Sequence, residues 1–526
     1  MKLHWTLRAG ALVAALVGFA SCGGGGSGTS GGTGPGSVPS SGAFAWVLKA
    51  QGPTDALQYG LSLVHPSAPG VEYVVEFGSS VVTDAKVIST GAVHPVALTA
   101  GPLAPYALIY IVGGDVRRVP LQANGTAPIS LVQRAQSTTA CSFVLEANDY
   151  ATPENSRYIV PTAGADGQCG TADDGRAEIR LGGATGLTFA AITGDAPLGM
   201  FRDAATLAPR GWILPKSVTL WGTPTDTTVV TRSATDPAIA SVVASSYRSA
   251  LVDDGTQLSV FDFPAGANPV ETLLDPGATG DGGWLGVGFD SNAFYAYRNS
   301  GTTAAASSWE VLGVDRAAPA ASVLASGSGL LSVASMGRAQ LYLTVLGSAQ
   351  NQLLTLAKTG GGPATPFETT PTSTLSTVQT SASDVHELWR VANVGTASAA
   401  YTIELIDETG AALYTTSAGG FPMDVAEASV VNLNASESRT RFIFANGYGA
   451  RAFGDASLVG YDAVARTAAT FGALPGTAAF GTNFVFASAL GGPGNFMGGF
   501  AASSSGGIVQ QAGAMVFSST SPCPEA

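Results

Sequence analysis

The densest set of chemically capable side chains lies between Cys141 and Glu178: Glu146, Asp149, Glu154, Asp166, Asp173, Asp174 and Glu178. Its centre is a glycine-rich run, Gly164-Ala-Asp-Gly-Gln-Cys-Gly-Thr-Ala-Asp-Asp-Gly175. Carboxylates clustered in such a loop can wrap Ca²⁺, a hard cation that takes six to eight oxygen ligands. Asp166, Asp173 and Asp174 are the candidate ligands, and calcium is the one cofactor the sequence brings into view. The EF-hand spacing is not met. With Asp166 at the first position, Gln168, Gly170 and Ala177 occupy places that need oxygen ligands, the last a glutamate. The competing expectation is a disulfide-closed loop whose aspartates make Asx-turns to their own backbone. Cys141 and Cys169 flank the segment and are the expected disulfide. Cys523, between two prolines, is left without an assigned partner, since connectivity does not follow from sequence.

Other chemistry is sparse. His65 and His94 precede prolines and read as turn residues, and His386 stands at the start of an expected strand. There is no H-E-x-x-H, C-x-x-C or P-loop pattern. The G-x-S-x-G match at Gly28–Gly32 falls in a low-complexity run, where no strand-turn-helix can present the serine. No catalytic residue is assigned. Trp46, Trp212, Trp221, Trp284, Trp309 and Trp389 either line a ligand-binding face or fill the core between sheets.

The remaining reactive residue is Cys22. Lys2 and Arg8 precede an apolar stretch, Ala9–Ala20, which is shorter than the roughly 20 apolar residues a bilayer span needs. That is the layout of an export signal. The stretch Phe19-Ala20-Ser21-Cys22 resembles the lipobox of bacterial lipoproteins, with phenylalanine where leucine is usual. The resemblance implies cleavage before Cys22, acylation of its thiol, and palmitate-type anchoring. Gly23 in place of aspartate leans toward the outer membrane. Each buried methylene contributes about 0.8 kcal/mol, so two or more chains anchor durably. Residues 23–42 are almost entirely Gly, Ser, Thr and Pro, and nothing in them offsets ordering entropy. They form a tether with a reach on the order of 25 Å. The expected organisation is therefore a signal peptide (1–21), a lipidated tether (22–42) and a folded body (43–526).

The body is built to be β. Only 12% of residues are charged and 45% are hydrophobic. Short runs rich in β-branched and aromatic residues recur: Gln58–Val64, Tyr106–Val112, Gln257–Phe263, Gln340–Leu346, Tyr401–Ile406, Arg441–Ala445 and Asn483–Ala487. Asp254-Gly255 marks a hairpin. Strand pairs repeat, the second often ending on a charged residue, as at Asp315, Lys358 and Asp407. Anchors at Phe294, Leu341, Leu388, Phe442 and Phe484 recur with a blade-sized period, which signals repeats. Similar anchors fall at Leu61, Ile109, Tyr158, Trp212 and Leu251. The fold class expected is an all-β propeller of seven to eight blades, with tandem β-sandwiches as the alternative. The pairs resemble the inner strands of TolB-like and other exported propellers over residues 44–515.

The formal charge is −13, and loss of Lys2 and Arg8 with the signal brings it to −15. Such a body repels phosphates, so nucleic acid is excluded as a partner. The expected partners are the membrane, through the anchor, and an envelope protein or glycan. Three functions compete: a non-catalytic binding or scaffolding lipoprotein, an envelope hydrolase or lyase using carboxylates and calcium, and a surface structural or adhesive protein.

Overall fold

Alternating and wholly apolar runs set the strand period, and Gly, Asp and Asn end each strand. In a computed structural model these runs form 38 strands among the described residues. It describes backbone strands from Phe44 to Met515, and side chains chiefly between residues 109 and 380. Cys22, the tether, Phe484, Cys523 and the three histidines His65, His94 and His386 lie outside the described residues.

The described strands form nine antiparallel sheets, eight of them four-stranded meanders in chain order. Nine sheets stand where seven to eight blades were expected. The nine anchors that fall on described residues explain the difference: each sits in the second strand of a different sheet. Ile109 is in Tyr106–Val112, Leu251 in Ser249–Asp253 and Leu341 in Gln340–Leu346. The recurring pairs are thus the second and third strands of each sheet. First strands are weaker signals, such as Leu285–Phe289 with its two glycines.

The chain divides into two compact units. One holds residues 1–146, 150–191 and 418–521, and the other holds 147–149, 192–417 and 522–526. In the first unit, Phe44–Gln51 pairs on one edge with Gln58–Val64 and on the other with Val509–Met515, giving a six-stranded sheet. Trp46 stands opposite both Leu63 and Gly513. The first and last described strands are therefore hydrogen-bonded neighbours, as in propellers closed by their termini.

In the second unit five sheets follow one another, spanning 199–231, 241–273, 285–328, 330–371 and 375–419. The first strand of each packs against the first strand of the next. This is blade stacking, not the face-to-face layering of a sandwich. Within the 241–273 sheet, Gly255 turns the chain at φ +88°, and Asp254 Oδ1 accepts the N–H groups of Thr256 and Gln257. The Asp-Gly hairpin lies where expected.

One position joins neighbouring sheets. The residue just after the third strand donates its N–H to the carbonyl just before the second strand: Leu181 to Ser156, Phe263 to Arg248, Arg316 to Asn292 and Lys358 to Ala339. Its side chain then reaches the preceding sheet. Leu181 joins Ile109, Ile111 and Val116. Phe263 stacks on Phe201, with centroids 4.3 Å apart and planes at 16°. Arg316 donates to Ser246 Oγ at 2.7 Å, and Lys358 Nζ to Asp290 Oδ2 at 3.0 Å. The two polar versions reuse a turn cap. Ser246 Oγ accepts the N–H groups of Arg248 and Ser249, and Asp290 Oδ1 accepts those of Asn292 and Ala293. Each cap thus closes its own turn and receives a cation from the next sheet.

Candidate functional site

The acidic segment is a 12-residue turn, 163–174, between the strands Arg157–Thr162 and Gly175–Arg180. The Cys141–Cys169 disulfide forms, with Cα atoms 5.8 Å apart. The turn gathers Asp166, Asp173 and Asp174 around Thr171, a residue the sequence did not single out. Thr171 Oγ1 donates toward Asp173 Oδ1 at 2.7 Å and lies 3.0 Å from Asp174 Oδ1. Asp166 Oδ1 accepts the Gln168 N–H at 2.8 Å, and Asp174 Oδ2 accepts the Gly170 N–H at 2.6 Å. Gly164 makes the packing possible, because a Cβ there would lie 2.2 Å from Asp173 Oδ2. The Thr171 hydroxyl holds the exposed Asp173 carboxyl below its ordinary pKa, outweighing the opposite push of desolvation.

These are the Asx-type contacts of the loop alternative: carboxylates turned onto their own backbone. Among the described residues no group of three or more His, Cys, Asp or Glu side chains is placed to hold a metal ion. Glu178, grouped with the loop by sequence, lies elsewhere. It is buried between Arg157, whose Nη1 is 3.2 Å from Oε1, and Arg180, whose Nη2 is 2.7 Å from Oε2. The side chains of Glu146, Asp149 and Glu154 lie outside the described residues.

The second unit holds charge clusters that no motif announced. Arg232 follows the fourth strand of the 199–231 sheet. It reaches Glu271, Asp254 at 3.2 Å and Ser259 Oγ at 3.1 Å in the next sheet. Burial weakens the Arg232 cation, and Glu271 and Asp254 more than restore it. Lys358, Asp290 and Tyr295 form another cluster, with the Tyr295 hydroxyl donating to Asp290 Oδ2 at 3.0 Å. Burial, then the Asp290 charge, pushes that hydroxyl's pKa well up, so it stays a neutral donor. Asp253 Oδ2 accepts the N–H groups of Gly283 and Trp284 at the entry to the next sheet. Each cluster ties one sheet to its neighbour.

The tryptophans divide similarly. Trp212, Trp284 and Trp309 are buried, Trp212 against Trp221 at 5.0 Å and Trp284 beneath Arg298 at 4.6 Å. These three are core, the second of the two roles expected for them. The side chains of Trp46 and Trp389 lie outside the described residues.

The class these features define is an all-β chain of propeller-type sheets. No family model and no curated protein matches the sequence. Among solved structures, a prolyl endopeptidase aligns with TM-score 0.36 and 13% identity over 64% of this chain. The chain spans 52% of that protein's length. Apo AztD from Citrobacter koseri aligns with TM-score 0.33 and 10% identity, over 82% of this chain and 95% of its own. The WD40 domain of coronin from Toxoplasma gondii aligns with TM-score 0.29 and 10% identity, over 62% and 82%. Likenesses of this strength assign no activity.

Proposed function

We propose that this is an exported lipoprotein, anchored through Cys22, whose β body is a non-catalytic binding or scaffolding module of the cell envelope. The observation that carries the non-catalytic part is where ionisable groups sit in the second unit. The five first strands, Gly199–Arg202, Ser241–Ser245, Leu285–Phe289, Leu330–Met336 and Leu375–Thr380, hold one ionisable residue among them, Arg202. It is 6% exposed. Acid and base groups pair instead on the later strands and at strand ends, some between sheets, as Arg232 with Asp254 and Glu271 and Lys358 with Asp290, and some within one sheet, as Arg298 with Glu310 and Arg390 with Glu404. A catalytic site needs groups held near a substrate with tuned pKa values. A body whose charges serve as mortar offers breadth of surface instead.

The anchoring part draws on the lipobox-like Phe19–Cys22 and on the point of attachment. The described strands begin at Phe44, two residues after the expected tether ends at Gly42. That first strand is hydrogen-bonded on both edges. A lipid at the far end of the tether would hold the body by an interior strand, at high local concentration beside envelope partners. Affinity capture of the intact, lipidated protein from membranes, read by mass spectrometry and glycan analysis, tests the binding role. The expected result is one saturable envelope protein or glycan partner. Recovery of none, or turnover of an envelope ester, peptide or glycoside by the purified body, would replace it with one of the competing functions.

A further inference from the structure

The disulfide joins two parts of very different independence. Cys141 lies on a segment that the sheet already holds. Ala140 bridges Thr162, Cys141 N–H donates to Pro161 O at 3.0 Å, Ala163 N–H to Thr139 O at 2.8 Å and Val144 N–H to Ile159 O at 3.0 Å. Cys169 lies near the tip of the 163–174 turn, where residues 165–168 and 170 are exposed. From 164 to 174 the backbone and aspartate hydrogen bonds are short-range: Gly167 N–H to Gly164 O, Asp174 N–H to Thr171 O, and the aspartate caps. Exposed local hydrogen bonds of this kind open at low free-energy cost. Beyond the paired strand ends Thr162 and Gly175, the disulfide is the long-range link at the acidic tip, whereas the 139–144 segment is also held to the sheet by backbone hydrogen bonds.

We infer that Cys141–Cys169 is a redox-operated clasp: a dithiol reductant of the envelope frees the acidic turn and reoxidation refastens it, with the flanking sheet intact in both states. Both cysteines are half-buried, but Cys169 is flanked by the exposed Gln168 and Gly170 while Cys141 follows the buried Ala140, so Cys169 is assigned as the point of attack. One thiolate of the reductant attacks Cys169 Sγ, the protein S–S bond breaks, and Cys141 leaves as a thiolate that takes a proton. The second reductant thiol then displaces Cys169 as a thiol. Two electrons pass to the protein, and the reductant departs as its own disulfide. What changes is presentation: Asp166, Asp173 and Asp174 are fixed around Thr171 in the oxidised form and released in the reduced one.

The turn contains no Lys or Arg but three aspartates, so an endoproteinase cutting on the amino side of aspartate reports on it directly. The full chain is treated with and without dithiothreitol, and fragments are identified by mass while far-UV circular dichroism follows the β content. Reduction should speed cleavage before Asp166, Asp173 or Asp174 by about tenfold or more, with an unchanged spectrum. Reoxidation should restore protection. A double variant, Cys141→Ser with Cys169→Ser, should be cleaved at the reduced rate without reductant. The clasp is overturned if the reduced turn stays as resistant as the oxidised one. It is equally overturned if reduction or the double substitution collapses the β spectrum, since the bond would then be structural.

Discussion

Replacing Asp290 with alanine is expected to lower the melting temperature by roughly 6–12 °C, a loss of about 3 kcal/mol at 2–4 °C per kcal/mol. The Lys358 side chain is 4% exposed, and Asp290, 15% exposed, receives its ammonium. Removing one partner of a buried pair strands the other charge away from water, which costs far more than the pair contributes. Tyr295 and the turn N–H groups of Asn292 and Ala293 lose their acceptor in the same step. The double variant Asp290→Leu with Lys358→Met should recover much of the loss, because apolar replacement of both partners removes the stranded charge. A pH series adds a sign test. Burial pushes the Asp290 carboxyl up, but Lys358 and the backbone N–H groups outweigh it and hold its pKa below the ordinary value. The groups facing Asp290 are the Lys358 ammonium, the neutral Tyr295 hydroxyl and the Arg316 guanidinium, which donates to its backbone carbonyl. A lowered native pKa contributes stability above the unfolded value, about 3.9, that is lost as pH falls through the native value. The gap between wild type and Asp290→Ala should thus be full at pH 7 and pH 5 and shrink below about pH 4. A drop under 2 °C at pH 7 would show that the cation from the next sheet carries no load.

Phe263→Ala is expected to cost about 3–5 kcal/mol, by thermal or urea unfolding. Phe263 occupies the same joining position as Lys358, with apolar chemistry. It is 1% exposed, stacks on Phe201 of the preceding sheet, and packs with Ile213, Val218, Ala250 and Val252. Truncation removes the transfer free energy of the ring and leaves a cavity between two sheets that their hydrogen-bonded strands cannot close. Phe263→Leu keeps most of the volume and should cost clearly less. Equal costs for the two variants would mean that the ring is not wedged between sheets.

Much of this architecture is legible in the chain because it repeats. The anchors from Leu61 to Phe442 find the second strand of every described sheet, since that strand is buried on both faces, as in Ser249–Asp253 and Gln340–Leu346, and so reads as a near-continuous apolar run. Gln58–Val64, Tyr106–Val112 and Gln340–Leu346 are strands with the expected bounds. The ends of the third strands were harder. Lys358 reads only as a charged strand end before glycines, yet it is buried on Asp290 of another sheet. Period-two patterning says which face of a strand is covered, and nothing about which neighbour a residue at the strand's end will meet. Asp290 was not singled out from the sequence: it caps its own turn, and its second partner lies 68 residues away.

The acidic segment shows the same boundary. Proximity in sequence paired Cys141 with Cys169 and grouped the aspartates, and both groupings hold in the fold. The same proximity enrolled Glu178. That residue is on a strand, and period two places it on the face opposite the core residues Ala177 and Ile179, where it pairs with Arg157 of the adjacent strand. Counting carboxylates along a loop does not tell which are free to face a cation and which are spent on backbone N–H groups. That depends on backbone torsions, which Gly164 and Gly170 leave open in the sequence.

The central claim is attachment at Cys22, and metabolic labelling with a clickable palmitate analogue tests it most directly. The intact protein, expressed with its first 21 residues in a lipoprotein-competent bacterium, should take up label and fractionate with membranes. Cys22→Ala should abolish the label and release the body from the membrane fraction. Persistent labelling of the Cys22→Ala protein, or an unlabelled protein with Cys22 intact, would contradict the anchor and leave the tether without the role assigned to it.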